Sequence, residues 1–230
     1  MHEARRFLRY VIPGLVASLE FWVLLWLAAP TLANTLVSTL TSEDAIGVAL
    51  GSLLVSGAIG FVLGNVHHTV LSRWTWYGFD FRELVQDCVS SGRLRVLDAS
   101  NNPVAPPFSQ AEAWIILNAV WHGGMDRPPF STGEGRAESL SDFVHSAGSL
   151  AVGALLVPIL VWLVVLLNGT YEMCPPFDWL RSILVILVAL GSLVLVWFGY
   201  FGLRDTCQGF IAGVFIAGLQ AQWRVTGLAR

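Results

Sequence analysis

Four long apolar stretches constrain this chain more than any other feature. They fill residues 8–29, 45–66, 143–167 and 180–203, two on each side of a polar block at 67–142. A hydrocarbon layer about 30 Å thick is crossed by about 20 helical residues, so each stretch is long enough to span. No water inside the layer can satisfy backbone N–H and C=O groups, and continuous apolar runs therefore cross as helices. A membrane β-barrel would instead show alternation with a period of two. Only 13% of the residues are charged, against about 25% in soluble globular proteins, and the deficit lies in the four stretches. The expected fold class is an all-α membrane protein: four transmembrane helices with a small, mainly helical cytoplasmic domain between spans two and three. The expected divisions are a first transmembrane hairpin (1–66), the cytoplasmic domain (67–142), a second hairpin (143–204) and a cytoplasmic C-terminal helix (205–230).

Arginine placement predicts sidedness, because cytoplasmic flanks carry the excess of basic residues. All 13 basic residues are arginine. Arg5 and Arg6 precede span one and Arg9 stands at its start, six more lie in the central block, and Arg204, Arg224 and Arg230 follow span four. Only Arg181 falls at the opposite edge. Both termini and the central block are read as cytoplasmic, in a bacterial inner membrane. Arg5-Arg6 followed by an apolar run also suits a twin-arginine signal, but Glu20 interrupts that run and its length suits a span. Cys88, Cys174 and Cys207 have no short spacing, and the predicted topology puts Cys174 across the membrane from the other two, against a structural disulfide.

Small residues mark expected helix contacts. Ser52, Ser56, Gly60 and Gly64 recur every fourth residue in span two, one ridge along which a second backbone can approach closely. Gly14, beside Pro13, permits the same in span one. A second ridge at Gly209, Gly213, Ala217 and Ala221 follows span four, on a stretch too short to span that reads as a cytoplasmic extension of it packed closely against another helix. Residues 30–44 suit a short interfacial helix and a turn. In the central block, Trp74, Trp76, Tyr77, Phe79 and Phe81 form an aromatic group suited to the headgroup layer or to the domain's own core. Helix character covers 80–90. Ser100-Asn101-Asn102 suits a hairpin turn, and Ser109 with Glu112 suits a capping box ahead of a helix at 110–121. Residues 123–136 read as a mobile loop, with a new helix starting near Ser139 and running into span three. Pro158 predicts a kink there.

Glu20 is the sharpest single residue. An ionised carboxylate at mid-bilayer costs about 3 kcal/mol or more, so it should face protein or water. It suits an ion or proton path, a pore-lining ring in an oligomer, a protonated acid bonded within a helix contact, or a snorkelling side chain. His67, His68, His122 and His145 lie on the expected cytoplasmic side, with no HxxxH or HxxE spacing. No metal site is expected. His67, His68, Arg93 and Arg95 are the candidate gating or partner surface, and Ser52 and Ser56 join Glu20 as candidate intramembrane polar groups. Asp126, Glu134, Glu138 and Asp142 read as a solvated acidic loop. No nucleotide-binding loop, GxSxG or HExxH is present, so no enzyme and no cofactor is expected. A net charge of −3 does not indicate a nucleic-acid partner.

The opening Arg9-Tyr10-Val11-Ile12-Pro13-Gly14 resembles the start of small four-span membrane effectors of bacterial anti-phage defence systems. The plan of two hairpins around a cytosolic block is similar to theirs. The resemblance implies a membrane effector that opens or permeabilises the inner membrane when a partner senses infection; it assigns no role to any one residue. The function expected is an oligomeric pore-forming or channel-like inner-membrane effector, gated through its cytoplasmic domain. Its partners would be membrane lipid, further copies of itself, and a soluble partner or ligand. The alternative is a non-conducting scaffold or sensor that docks a soluble partner. A small transporter would need a second, paired charge within the spans, and none stands out.

Overall fold

A computed structural model of the chain describes residues 2–40, 45–73, 77–169 and 179–227. Its helices are α1 (His2–Ala28), α2 (Pro30–Leu40), α3 (Ala45–Thr69), α4 (Arg82–Ser90), α5 (Gln110–Gly123), α6 (Phe130–Gly169) and α7 (Trp179–Gly227). Four of them, α1, α3, α6 and α7, are long and apolar enough to cross a membrane. The two short helices α4 and α5 lie between spans two and three. The chain is an all-α, multi-pass membrane protein. Among the described residues the only β pairing is an isolated bridge between Leu97 and Pro103.

Two compact units divide the chain: residues 1–71 with 142–202, and residues 72–141 with 203–230. Helices α6 and α7 each supply residues to both.

In the first unit, α1 and α3 meet backbone to backbone. A methyl group at Gly14 would overlap the Ser56 carbonyl, and one at Gly60 would overlap the Tyr10 carbonyl. Glycine is required at both positions because nothing larger than hydrogen fits between the two backbones. A methyl group at Gly64 would lie 3.2 Å from the Tyr10 ring and 3.4 Å from the Ser149 hydroxyl. Helix α6 enters the same packing through its own small residues: a methyl group at Gly153 would lie 3.4 Å from both Ala17 and Leu63. At the other end of α1, Leu25, Ala29, Leu32 and Ala33 form a buried cluster with Phe21, Trp22, Val164 and Val165 packed on it. The Ala29 and Ala33 N–H groups donate to the Leu25 and Ala29 carbonyls, so the helical pattern of α1 carries on into α2, the short helix expected within residues 30–44.

The second unit has a core of its own. Tyr77, Phe81, Val85, Phe108, Ala113 and Leu117 are buried. Burying a Val, Leu or Phe side chain stabilises by about 1.5–3 kcal/mol. Phe79 and Phe81 stack near the Trp114 indole, with centroids 6.2 and 5.6 Å away. Tyr77, Phe79 and Phe81 thus serve the unit's interior; Trp74 and Trp76 lie outside the described residues. Ser109 caps α5 with both bonds of the capping box to Glu112. Asn101 takes φ 61 in the turn between Asp98 and Asn102, a conformation Asn tolerates better than most residues.

One expectation is corrected. Helix α6 begins at Phe130 rather than near Ser139, so residues 130–136 are helix and not loop. Gly133 and Gly135 looked like helix breakers, but Gly133 sits against Val214, Gly124 and Gly218 both hold the Phe130 ring, and packing of this kind outweighs the roughly 1 kcal/mol propensity cost of a glycine. The acids Glu134 and Glu138 accordingly lie on a helix face. Span four continues without interruption to Gly227, so the C-terminal helix is the extension of span four that was expected. Helices α1 and α6 run through Pro13 and Pro158.

Candidate functional site

Glu20 lies eleven residues past Arg9 and eight before Ala28 in its span. Its side chain is half-buried. Ser192, at mid-length in the apolar part of α7, places its hydroxyl 2.5 Å from Glu20 Oε1. The same hydroxyl lies 3.0 Å from the Ala189 carbonyl. Ser192 has one proton and two acceptors, so the pair accommodates both states of the acid. With Glu20 ionised, Ser192 donates to the carboxylate. With Glu20 protonated, the acid donates to Ser192, which then donates to Ala189. Span four is the most open of the four: 11% of its most apolar stretch is buried, against 28–33% in the others. No described residue lies within contact of the position a side chain would take at Gly191, Gly199 or Gly202.

The ridge in span two divides by depth. Ser56 is fully buried and donates to the Leu53 carbonyl within its own helix. Gly60 and Gly64 are at the α1 and α6 contacts described above. Ser52 is exposed. The second ridge behaves differently: Gly209 and Gly213 are exposed, with no described residue near enough to meet a side chain there. The buried face of that helix is instead Cys207, Ile211, Phe215 and Leu219, at a helical spacing of four.

At the Arg9 end of the spans, polar groups from four helices converge. Arg9 Nη1 donates to Asp142 Oδ1 at 3.2 Å, and Arg9 Nη2 lies 3.1 Å from His68 Nε2. A guanidinium carries no acceptor, so His68 Nε2 must accept, and the His68 proton sits on Nδ1. The His145 ring lies 4.1 Å from the His68 ring and 5.7 Å from that of His67, and Tyr200 on α7 is edge-on to His67 at 5.7 Å. His67 is 2% exposed, over Gly148, whose missing side chain leaves room for the imidazole. His145 Nδ1 is buried without a hydrogen-bond partner among the described residues. His67 is therefore a packed interior residue rather than part of an exposed surface. No group of three or more metal-ligating side chains has a geometry suited to a metal ion among the described residues. Sequence reasoning placed His67, His68 and His145 at one end of the spans but had no means of joining them to Arg9 and Asp142. The small-residue run from Ala147 to Ala154 in span three was the available signal for the packing that does so.

In the second unit, Arg93 and Arg95 are exposed beside the hairpin turn. Within that turn the Asn102 and Ser100 backbone N–H groups both donate to Asp98 Oδ1 at 2.8 Å, which holds the Asp98 carboxyl below its ordinary range. Asp80 accepts from Arg82 Nε at 2.9 Å, and that bond is the main reason its carboxyl is held low. Gln208 on α7 clamps the Asp80 backbone, donating to its carbonyl at 2.6 Å and accepting from its N–H at 3.2 Å. Burial pushes the Cys88 thiol up.

Comparison with family models, curated proteins and solved structures gives no match.

Proposed function

We propose that this chain is one subunit of an oligomeric, pore-forming or channel-like membrane protein. The observation that carries the reading is the Glu20–Ser192 pair. It is a half-buried acid at mid-span, bonded on one side to span four. An acid at that depth is costly unless protein or water meets it, and intramembrane acids mark ion and proton paths for that reason. The open flank of span four, with bare glycines at 191, 199 and 202, offers a further copy the close backbone approach that membrane helices use to associate. In this reading Glu20 and Ser192 face a water path shared between copies. The arginine distribution orients both termini and the 72–141 unit toward the cytoplasm, where that unit receives the gating signal. The resemblance to anti-phage effectors supports an inner-membrane location and permeabilisation as the output.

The test is ion flux from liposomes containing the purified chain, comparing wild type with Glu20→Gln and Glu20→Ala. Flux that falls in both variants supports the reading. Equal flux, together with equal toxicity on expression, removes Glu20 from the path. The exposed Arg93 and Arg95 favour the second reading, a scaffold docking an acidic soluble partner. That reading predicts partner capture by the wild type, loss of capture in Arg93→Glu/Arg95→Glu, and silent liposomes.

A further inference from the structure

We propose that a cleft in the second unit binds a small monovalent organic cation, a quaternary ammonium or a guanidinium. The cleft, of about 220 Å³, lies between one face of α5 and the first turns of α6. Residues 114, 117, 118 and 121 of α5 form one wall, and 134, 137, 138 and 141 of α6 form the other. Both sets follow the spacing that puts side chains on a single helical face.

The chemistry of the two walls is complementary. From α5 come two indoles, Trp114 and Trp121. From α6 come two carboxylates one turn apart, Glu134 and Glu138. Neither carboxylate has a hydrogen bond or ion pair among the described residues. The nearest basic residue in sequence, Arg136, is engaged elsewhere: its guanidinium lies over the Phe210 ring at 5.2 Å. No arginine lines the cleft; its one basic side chain, His122, is turned to Met125, with Nδ1 3.2 Å from the Met125 sulfur. Asn118 and Ser141 add an amide and a hydroxyl that also lack protein partners among the described residues.

An aromatic wall facing uncompensated acids selects for positive charge. An indole attracts a cation held within about 6 Å of its ring, and the acids supply the countercharge. Trp114 is 41% exposed. Phe79 and Phe81, both near it, are only 6.0 Å apart, too close together to sandwich the indole, so one side of that ring stays available. Trp121 is 8% exposed and held edge-on against Phe130 at 5.3 Å, a fixed second wall. The volume is below the roughly 300–1,000 Å³ typical of drug-sized ligand sites. The occupant is therefore a compact ion rather than a nucleotide or a folded peptide segment. The inference stands apart from conduction: a chain that binds the cation and passes no current leaves it intact.

The experiment is calorimetric titration of the full chain in a maltoside detergent, which has no cationic headgroup to compete. The probes are choline, methylguanidinium, and 3,3-dimethylbutan-1-ol, the uncharged isostere of choline. At least one cation should bind about tenfold or more tighter than the neutral alcohol. Tighter choline identifies a quaternary ammonium, and tighter methylguanidinium identifies a planar ion stacked on Trp114. The double variant Glu134→Gln/Glu138→Gln should unfold at the wild-type temperature and lose about tenfold or more in affinity. Trp114→Phe should keep part of the binding that Trp114→Ala loses. Binding of both cations no tighter than the neutral alcohol, unchanged affinity in the double variant, or no binding of either cation overturns the proposal.

Discussion

Ser192 Oγ lies 2.5 Å from Glu20 Oε1, although 172 residues separate them in the chain. The contact joins the first span to the last at mid-depth and gives the one acid of span one's interior a designated partner. Because Ser192 also reaches the Ala189 carbonyl, the bond survives a change in the acid's protonation. Glu20→Gln keeps an oxygen able to accept from Ser192, whereas Glu20→Ala removes the contact. Thermal unfolding in detergent should therefore place Glu20→Gln close to wild type and Glu20→Ala lower by about 1 kcal/mol. A drop of several kcal/mol in Glu20→Gln would mean that the acid's charge, rather than its hydrogen bond, holds the spans together.

The two small-residue ridges should respond in opposite ways to the same substitution. At Gly60 an added methyl meets the Tyr10 carbonyl, so Gly60→Ala should force α1 and α3 apart at a cost of about 1–3 kcal/mol. At Gly213 nothing described stands in the way, and Gly213→Ala should gain up to about 1 kcal/mol from helix propensity within one chain. Unfolding temperatures, read with the mass of the detergent complex, separate the cases. A Gly213→Ala variant that loses mass would place another copy against that ridge.

Acid stability should carry the mark of Asp80. Its carboxyl is held below its ordinary value of 3.8, chiefly by the Arg82 hydrogen bond. The folded value is lower than the unfolded one, so the contribution is fully present above the unfolded value. It is lost as the pH falls through the folded value. Wild type and Asp80→Asn should differ by a constant amount between about pH 5 and 8. Below 3.8 the wild-type curve should fall more steeply, closing the gap. A gap that persists into strong acid would show that the variant acts by disturbing the Gln208 clamp instead.

Native thiols should be slow to react. Cys88 is 3% exposed and Cys207 is fully buried, and burial raises the Cys88 pKa, which lowers its thiolate fraction at neutral pH. In a Cys174→Ser background, iodoacetamide at pH 7.5 should leave both unmodified until detergent denaturation exposes them. Rapid labelling of Cys88 in the native protein would contradict the core assigned to the second unit.

The spans were legible because an apolar run of about 20 residues has few alternatives to a membrane helix. The capping box at Ser109 and Glu112 was legible because it is a local exchange of two hydrogen bonds. Gly60 and Gly64 were legible as a contact ridge, although their neighbours on α1 and α6 were not. The start of α6 was misread because Gly133, Gly135 and the Pro128-Pro129 pair carry loop propensities, and contacts with Phe130 and Val214 from distant positions decide the matter. The convergence of Arg9, His68, Asp142 and His145 was illegible for the same reason: each lies on a different turn or helix, and no spacing within the chain joins them. The buried face at Cys207, Ile211, Phe215 and Leu219 could have been found from its spacing of four, had the glycine ridge beside it drawn less weight.

The central claim is that Glu20 meets water within the span. The direct measurement is modification of Glu20→Cys, with Cys88, Cys174 and Cys207 replaced by serine, in lipid vesicles. A charged, membrane-impermeant methanethiosulfonate is applied while conductance is recorded. The account predicts that residue 20 is modified and that current changes as it is, while Leu19→Cys, 65% exposed on the outer flank of the same helix, stays unreacted and leaves the current unchanged. A residue 20 thiol that the reagent never reaches, in vesicles that carry no current, would contradict it.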